Sequence, residues 1–501
     1  MSILPIFPVL FVLSFFTLAF SAALEVGPGK TYSRIESAYA SANSGDTILV
    51  YPKAANAAYD SVAVYLTKRK LLIRGVLPGG RVVLDGTGYD YSGVGSVPRA
   101  MFQFNQGADS CVVENFEIFG CQNSSYNGAA FRINQVNDIT IRNCDIHNND
   151  MGLMSNGTVT DNSAADQLVE NCIVHENGNT ADPGYNHNFY MGGMSVTIRG
   201  CNVYGATTGH DIKSRAHLTI VEGCRVHDCQ NREFDLVDDN GVTTVAGSHA
   251  LLSGCVIVKA QNASGNKTVI HFGQDGGYDH DGTLYVVHCT IVTPYISPVV
   301  DLSAPSAGVS FTNTIVTVPS GTQSGQVLVN ARNGAVMTNA AGRYMWMSSG
   351  FSAPAGGTFD HISIGAAGIV PKFTNAAVGD YSLADSEAGI VDAGLDYASI
   401  TLPQSLAGRQ PVAFQVPLGF FNRIFVGNPD IGAYEWKNGP NGVRNSVRTF
   451  KPDYKTFTVG KGVVDARGRM VAGNKYLLNQ NRIAAGCLFE KSGKNMIWLK
   501  N

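Results

Sequence analysis

Charge is scarce in this 501-residue chain: Asp, Glu, Lys and Arg make up only 15% of it and nearly cancel, to a net −3. That balance leaves no electrostatic footprint for a phosphate backbone, so no nucleic-acid partner is expected. Long apolar runs are also lacking, with one exception at the N-terminus, and no heptad pattern is present. A polytopic membrane protein and a coiled coil are thereby excluded. What the chain does have is 44% hydrophobic residues and 56 glycines, enough apolar content to bury a core rather than stay disordered. Length alone would suggest two to four domains, but that prior fails for repeat architectures.

The one apolar run spans Ile3 to Phe20 and is followed by Ser21-Ala22-Ala23. Small residues at Ser21 and Ala23 fit a signal-peptidase site after Ala23, with the α-amine as the only positive charge ahead of the run. Residues 1–23 are therefore read as a signal peptide, and the protein is expected to be secreted or at the cell surface.

Export would favour disulfides, yet the cysteine spacing argues for something else. Cys144, Cys172, Cys201, Cys224, Cys255 and Cys289 are separated by 28, 29, 23, 31 and 34 residues. Two residues after each stands a β-branched residue: Ile146, Val174, Val203, Val226, Ile257 and Ile291. Three residues before each is Ile141, Val169, Ile198, Val221, Leu252 or Val286, and immediately before is Asn143, Asn171, Gly200, Gly223, Gly254 or His288. Phe116 and Thr314 extend the pattern by one rung each way.

A period-2 alternation rich in Val and Ile is a strand with one buried face. Asn or Gly at a fixed point marks a turn residue with positive φ. One such coil cannot bury its own apolar face, so neighbours must stack on it. The cysteines then form an internal ladder of reduced thiols. The fold class read here is all-β: a right-handed parallel β-helix (solenoid) over residues 24–436. Outside this ladder run Phe119, His147, His175, Tyr204 and His227, a column read as ring packing rather than metal coordination. Cys111, Cys121, Cys229 and Cys487 lie off the ladder, and no disulfide framework is expected.

The opening segment, Val26-Gly27-Pro28-Gly29-Lys30-Thr31-Tyr32 then Ile35, Ala38, Tyr39, Ala42 and Gly45-Asp46-Thr47-Ile48, resembles the N-terminal cap of secreted bacterial pectate-lyase-like β-helix proteins. Its apolar residues fall at i, i+3, i+4 and i+7, so an amphipathic helix should plug the open end of the core. The Asn column resembles the asparagine ladder of such helices. Gly379-Asp380-Tyr381-Ser382-Leu383 and Pro429-Asp430-Ile431-Gly432-Ala433-Tyr434-Glu435 resemble the closing segment of many bacterial members. The resemblance is specific for fold and much less so for activity.

After Trp436 the composition shifts. Residues 437–447 read as a linker, and residues 448–501 as a small C-terminal β-sandwich for sorting or surface attachment. From Lys437 onward there are 13 Lys or Arg against 3 acids. Val463-Val464-Asp465-Ala466-Arg467-Gly468-Arg469 and Ala484-Ala485-Gly486-Cys487-Leu488-Phe489-Glu490-Lys491 are similar to type IX secretion sorting modules. A small basic surface-binding domain is the alternative.

Chemistry is expected on the strand preceding the ladder strand. Its outward column reads Gln103, Arg132, Met154, Tyr190, Lys213, Asp235, His271 and Asp301, and the next outward position adds Asn105, Asn134, Asn156 and Arg215. The insertions Asp238–His249 and Gln274–Gly282 are placed to wall a groove for a linear polysaccharide. The favoured reading is β-elimination of a uronic-acid polymer of plant, algal or microbial origin. Arg215 would neutralise the uronate, Lys213 would take the proton, and Tyr190 or His271 would protonate the leaving oxygen. His187, His210, Asp235 and Asn134 would contact substrate. Asp235, Asp238, Asp239 and Asp275 are candidate ligands for Ca²⁺, a hard cation that takes oxygen donors.

Three other readings compete. Lys213 and Asp235 can be an ordinary cross-rung ion pair contributing about 1 kcal/mol or less. An Asp pair, Asp235 with Asp238 or Asp239, suits a polygalacturonase-like hydrolase, although the Gly-His and Lys-x-Arg segments precede the Asp pair here, the reverse of the usual order. A non-catalytic adhesin would use the groove for binding only. A monomer is expected.

Overall fold

The computed structural model describes residues 21–436, apart from 78–80, 96, 322 and 426, and beyond them the backbone of five short strands. Residues 1–20 of the proposed signal peptide, the linker and most of the proposed sorting module lie outside the described residues, while Ala23 already belongs to the first strand, Ala23–Val26. The tail strands pair antiparallel, in a three-stranded sheet (Phe457–Val459, Gly462–Val464, Met470–Gly473) and a hairpin (Cys487–Ser492 with Asn495–Lys500). Among the described residues no helix is long and apolar enough to cross a membrane.

Each middle rung of the solenoid is built from three short strands. Ile212–Ser214, Leu218–Glu222 and Arg225–His227 make one rung, and Phe234–Val237, Ala250–Ser253 and Val256–Val258 make the next. Every strand pairs in parallel with its equivalent one rung on, in a register that aligns Lys213 with Asp235, Val221 with Leu252 and Val226 with Ile257. The first strands of successive rungs form a ten-stranded parallel sheet running from Val64–Leu66 to Val329–Ala331. At about 4.8 Å per rung, like residues stack above like.

The sequence columns have the conformations their chemistry requires. Asn115, Asn143, Asn171, His288 and Asn313 take φ values of 70°, 55°, 53°, 50° and 49°, and Gly200, Gly223 and Gly254 occupy the same turn in the remaining rungs. The residue that follows each is turned inward. Cys144, Cys172, Cys201, Cys224, Cys255 and Cys289 are fully buried, and all nine cysteines at described side chains are free thiols. The ladder is bonded as well as packed: the amides of Cys144, Cys172 and Cys201 donate to the sulfur of the next cysteine at 3.4, 3.4 and 3.3 Å. Fully burying each Val or Ile of the flanking columns contributes about 1.5–3 kcal/mol, available only when rungs stack.

The N-terminal end is covered by the helix Ile35–Ser41, which buries Ile35 and Ala38 against the core. Two expectations need correction. The side-chain ladder of amides is not the Asn143 column. It runs through the turn beside the ten-stranded sheet, where Asn149 Nδ2 donates to Asn177 (2.9 Å), Asn177 to Asn188 (2.9 Å) and Asn188 to Asp211 (2.8 Å). The segment from Phe373 to Trp436 lies along the flank of the later rungs instead of only closing their end. Tyr381, Ala413, Ala433 and Tyr434 pack on Val256 and Val292, and Leu383, Ile390 and Ile431 on Ile315 and Trp346. It therefore covers the face away from the ten-stranded sheet and leaves that sheet's outer face to loops and solvent.

Candidate functional site

The outward column is in register throughout. Gln103, Arg132, Met154, Tyr190, Lys213, Asp235, His271 and Asp301 pair rung to rung, and the column continues to Asn330. Parallel stacking thus places a phenol, an ammonium, a carboxylate and an imidazole on four consecutive rungs.

Asp235 is the hub. Its Oδ2 lies 2.8 Å from Lys213 Nζ and 3.4 Å from His210 Nε2, while its Oδ1 takes His271 Nδ1 at 2.9 Å and an Arg232 guanidinium nitrogen at 3.0 Å. Burial disfavours its charge, yet His210, His271 and Lys213 together hold it well below the usual carboxylate range. Only 1% exposed and surrounded by four donors, it offers nothing to a substrate or a cation. It is neither a substrate contact nor the acid of a hydrolytic pair.

Lys213 is bonded to two carboxylates, Asp235 and Asp275, each at 2.8 Å. Burial pulls its pKa down, but those carboxylates outweigh it and hold the ammonium above its ordinary value. A proton held this firmly disqualifies Lys213 as the base. His271 is also committed. With Nδ1 donating to Asp235, its Nε2 accepts from Ser303 Oγ at 2.6 Å and from Arg332 at 3.0 Å, so no imidazole proton faces outward and the acid role is excluded.

His187 and His210 are buried, stacked at 5.1 Å and 12°, and each accepts a backbone N–H at Nδ1. Burial lowers both, His187 well below its ordinary value and His210 to about 4. The His187 ring packs against that of Tyr190 at 5.5 Å. Asn134 is part-exposed two rungs before Tyr190, bonded to Asn105 at 2.9 Å.

The loops close one side of the site. Asp238, fully buried, accepts the amides of Asp275, Gly276 and Tyr278 at 2.6, 2.7 and 2.6 Å, which folds the 274–282 loop over the sheet. That fold carries Asp275 onto both Lys213 and Arg215, the latter at 2.6 Å. Asp275 is held below its ordinary range: burial opposes its charge, but Lys213 and then Arg215 outweigh it. Burial raises Asp239. The four aspartates do not make a Ca²⁺ cage: Asp235 and Asp238 spend their oxygens on protein donors, and Asp275 bridges two cations. Among the described residues, the only His, Cys, Asp or Glu set whose ligand atoms converge is elsewhere.

What stays open lies on the other side of Arg215. Its Nε donates to the Tyr190 hydroxyl oxygen at 3.1 Å, which leaves the phenol proton free to point outward. A further N–H bonds the Asp238 carbonyl and another bonds Asp275, leaving two of the five guanidinium donors. Arg132, part-buried in the same column, touches Met154 Sδ at 3.4 Å, and among the described residues no carboxylate pairs with it. Burial and neighbouring Arg99 depress its pKa. Tyr185, four residues before the strand Phe189–Met191, and Tyr278, in the 274–282 loop, are exposed. Sequence reasoning missed Arg232, Ser303 and Arg332; the in-register position of Ser303 beside Gly273, two residues after His271, was the available signal.

Residues 103–257 match the family described as right handed beta helix region. The stacked rungs are those of a right-handed parallel β-helix. No curated protein matches its sequence. Similar solved structures include pectate lyase Pel9A (12% identity, 83% of this chain and 96% of that one, TM-score 0.49). They also include a tailspike protein of Acinetobacter baumannii bacteriophage Fri1, a capsular polysaccharide depolymerase (10% identity, 74% and 63%, TM-score 0.44). A third is the catalytic unit of an α-1,3-glucanase from Streptomyces thermodiastaticus (13% identity, 69% and 68%, TM-score 0.37).

Proposed function

We propose that this β-helix binds an anionic polysaccharide along the column from Arg132 to Arg215 and cleaves it by β-elimination, with Tyr190 as the proton-transfer group. The observation that carries the reading is the cation without a partner. Lys213, Arg215 and Arg332 each hold a carboxylate of the protein, whereas Arg132 holds none among the described residues. A part-buried guanidinium left this way is matched by an anion from outside. Two rungs separate it from Tyr190, about 10 Å along the solenoid axis, a span suited to a linear polymer. Exposed Tyr185 and Tyr278 supply flat apolar faces for sugar rings.

Elimination requires that a uronate be neutralised, that the proton α to it be removed, and that the leaving oxygen be protonated. The two remaining Arg215 donors meet the first need, the uronate competing with Asp275 for the guanidinium. Tyr190, oriented by Arg215, meets both proton-transfer needs in place of Lys213: ionised first, it takes the α-proton, and the phenol so formed gives that proton to the leaving oxygen on the same face. The secreted location and a surface-attached tail belong to the same proposal, since a polymer of this size is met outside the cell.

The test is incubation of the full chain with a panel of uronate polymers. Ultraviolet absorbance of unsaturated products is expected, together with its loss in Tyr190→Phe while polymer binding persists. New reducing ends without that absorbance would favour the second reading, hydrolysis with Asp239, raised by burial, as acid and Asp275, held low, as base. Binding with neither product would make the protein an adhesin.

A further inference from the structure

On the third strands of five successive rungs, Phe119, His147, His175, Tyr204 and His227 stack at centroid distances of 5.3, 5.0, 4.7 and 4.9 Å, the ring packing expected of them. Packing accounts for rings; it does not account for what surrounds the two middle imidazoles. We propose that His147, His175 and Asp145 form a site for a divalent transition-metal ion, with Zn²⁺ as its probe.

The register brings the three together. Asp145–His147 and Ile173–His175 pair in parallel, with His147 opposite His175, and Asp145 shares the outer face two residues before His147. Both imidazoles lean toward the preceding rung, so that His175 Nε2 lies 3.2 Å from Asp145 Oδ1 and His147 Nε2 lies 3.6 Å from Glu117 Oε1. The candidate ligand atoms of Asp145, His147 and His175 all fall within 4.8 Å of one another, and all three side chains are half-buried.

The far nitrogens are held as metal-binding histidines hold theirs. His147 Nδ1 faces Asn148 Oδ1 at 2.7 Å, and His175 Nδ1 faces Glu176 Oε2 at 3.2 Å. Asn148 and Glu176 both sit at φ 51°, the turn that swings each side chain back beside the preceding ring. An acceptor at Nδ1 can hold the proton there, so that a cation arriving at His175 Nε2 displaces only its hydrogen bond to Asp145. Arg81 bonds the other oxygen of Asp145 at 2.7 Å, orienting Oδ1 toward the imidazoles. Two imidazoles and a carboxylate suit a borderline cation such as Zn²⁺ better than Ca²⁺, and Glu117 or water completes four-coordination. Zinc–nitrogen bonds of about 2.1 Å require the two nitrogens to draw in to roughly 3.4 Å, so the affinity expected is micromolar rather than that of a rigid structural zinc.

The column itself supplies the test. Phe119 already stacks on His147, so His147→Phe and His175→Phe keep the ring and remove the nitrogen. Calorimetric titration of the full chain with Zn²⁺ should show one ion whose affinity falls at least about tenfold in either variant. Zinc should also raise the melting temperature of the wild type and not of the variants, whose metal-free melting temperatures stay close to wild type. Wild-type zinc affinity in both Phe variants would place the ion at other histidines and overturn the proposal, as would no binding by the wild type at micromolar zinc. If a Phe variant misfolds, Asp145→Asn and His175→Gln read the same loss.

Discussion

Lys213 and Asp235 meet at 2.8 Å on adjacent rungs, and the carboxylate is almost completely shielded from water. The pair was readable as a proton-accepting lysine beside a substrate- or Ca²⁺-binding carboxylate, or as a surface ion pair worth little. It is neither. Asp235 gathers three further donors, and a second carboxylate arrives on Lys213 from the 274–282 loop.

Lys213→Met should therefore cost stability before it costs chemistry. Removing one partner of a buried pair leaves the other uncompensated, at about 3–5 kcal/mol. Thermal unfolding followed by circular dichroism checks this. A melting temperature equal to wild type would return Lys213 to the solvated surface and reopen its role as a base.

Arg132→Ala should weaken binding of an anionic polymer by about 10–100-fold, the loss of one charged contact of roughly 1.5–3 kcal/mol. The side-chain hydrogen bond Arg132 makes is to Met154 Sδ and no ion pair is lost with it, so the fold should hold. Wild-type affinity in this variant would move the polymer to another face.

The cysteine ladder predicts thiol behaviour directly. Burial pushes the thiols of Cys144, Cys224 and Cys229 well up, and none of the nine at described side chains is bridged. A thiol reagent should find those nine protected in the native protein and reactive after denaturation. Fewer thiols on unfolding would mean bridged pairs and an incorrect ladder.

Legibility in the sequence followed the repeat. Cys144 and Cys172 are 28 residues apart, and that interval located the inward ladder, the positive-φ turn and the outward column. Asn149 and Asn177 have the same interval, so the amide ladder began legibly. It was lost where Asn188 follows after 11 residues and Asp211 after 23. The protonation states were hidden for a different reason. Asp275 reaches Lys213 from 62 residues away only because Asp238 caps three loop amides, a contact with no periodic trace. Parallel stacking makes neighbours predictable from spacing; loop closure does not.

The end of the amide ladder gives the pH prediction. Asp211 is fully buried, its Oδ1 takes Asn188 and the Ala206 amide, and its Oδ2 has no partner. Burial raises it from 3.8 to about 7, and nearby Glu233, paired with Lys259 at 3.3 Å, is raised to about 8. A carboxyl raised in the folded state keeps its proton between pH 4 and 7 while the unfolded chain loses it. The folded state then binds more protons, so stability falls as pH rises through that window. Below pH 4 the contribution is complete; above pH 7 it is gone, a change on the order of 4 kcal/mol for three pKa units. Asp211→Asn keeps the acceptor oxygen and removes the titration. Urea unfolding of the wild type should weaken from pH 4.5 to 7.5, and Asp211→Asn should flatten that slope while leaving the Glu233 contribution in place. An identical slope in the variant would show that Asp211 is ionised throughout, with Lys259 as its counter-ion.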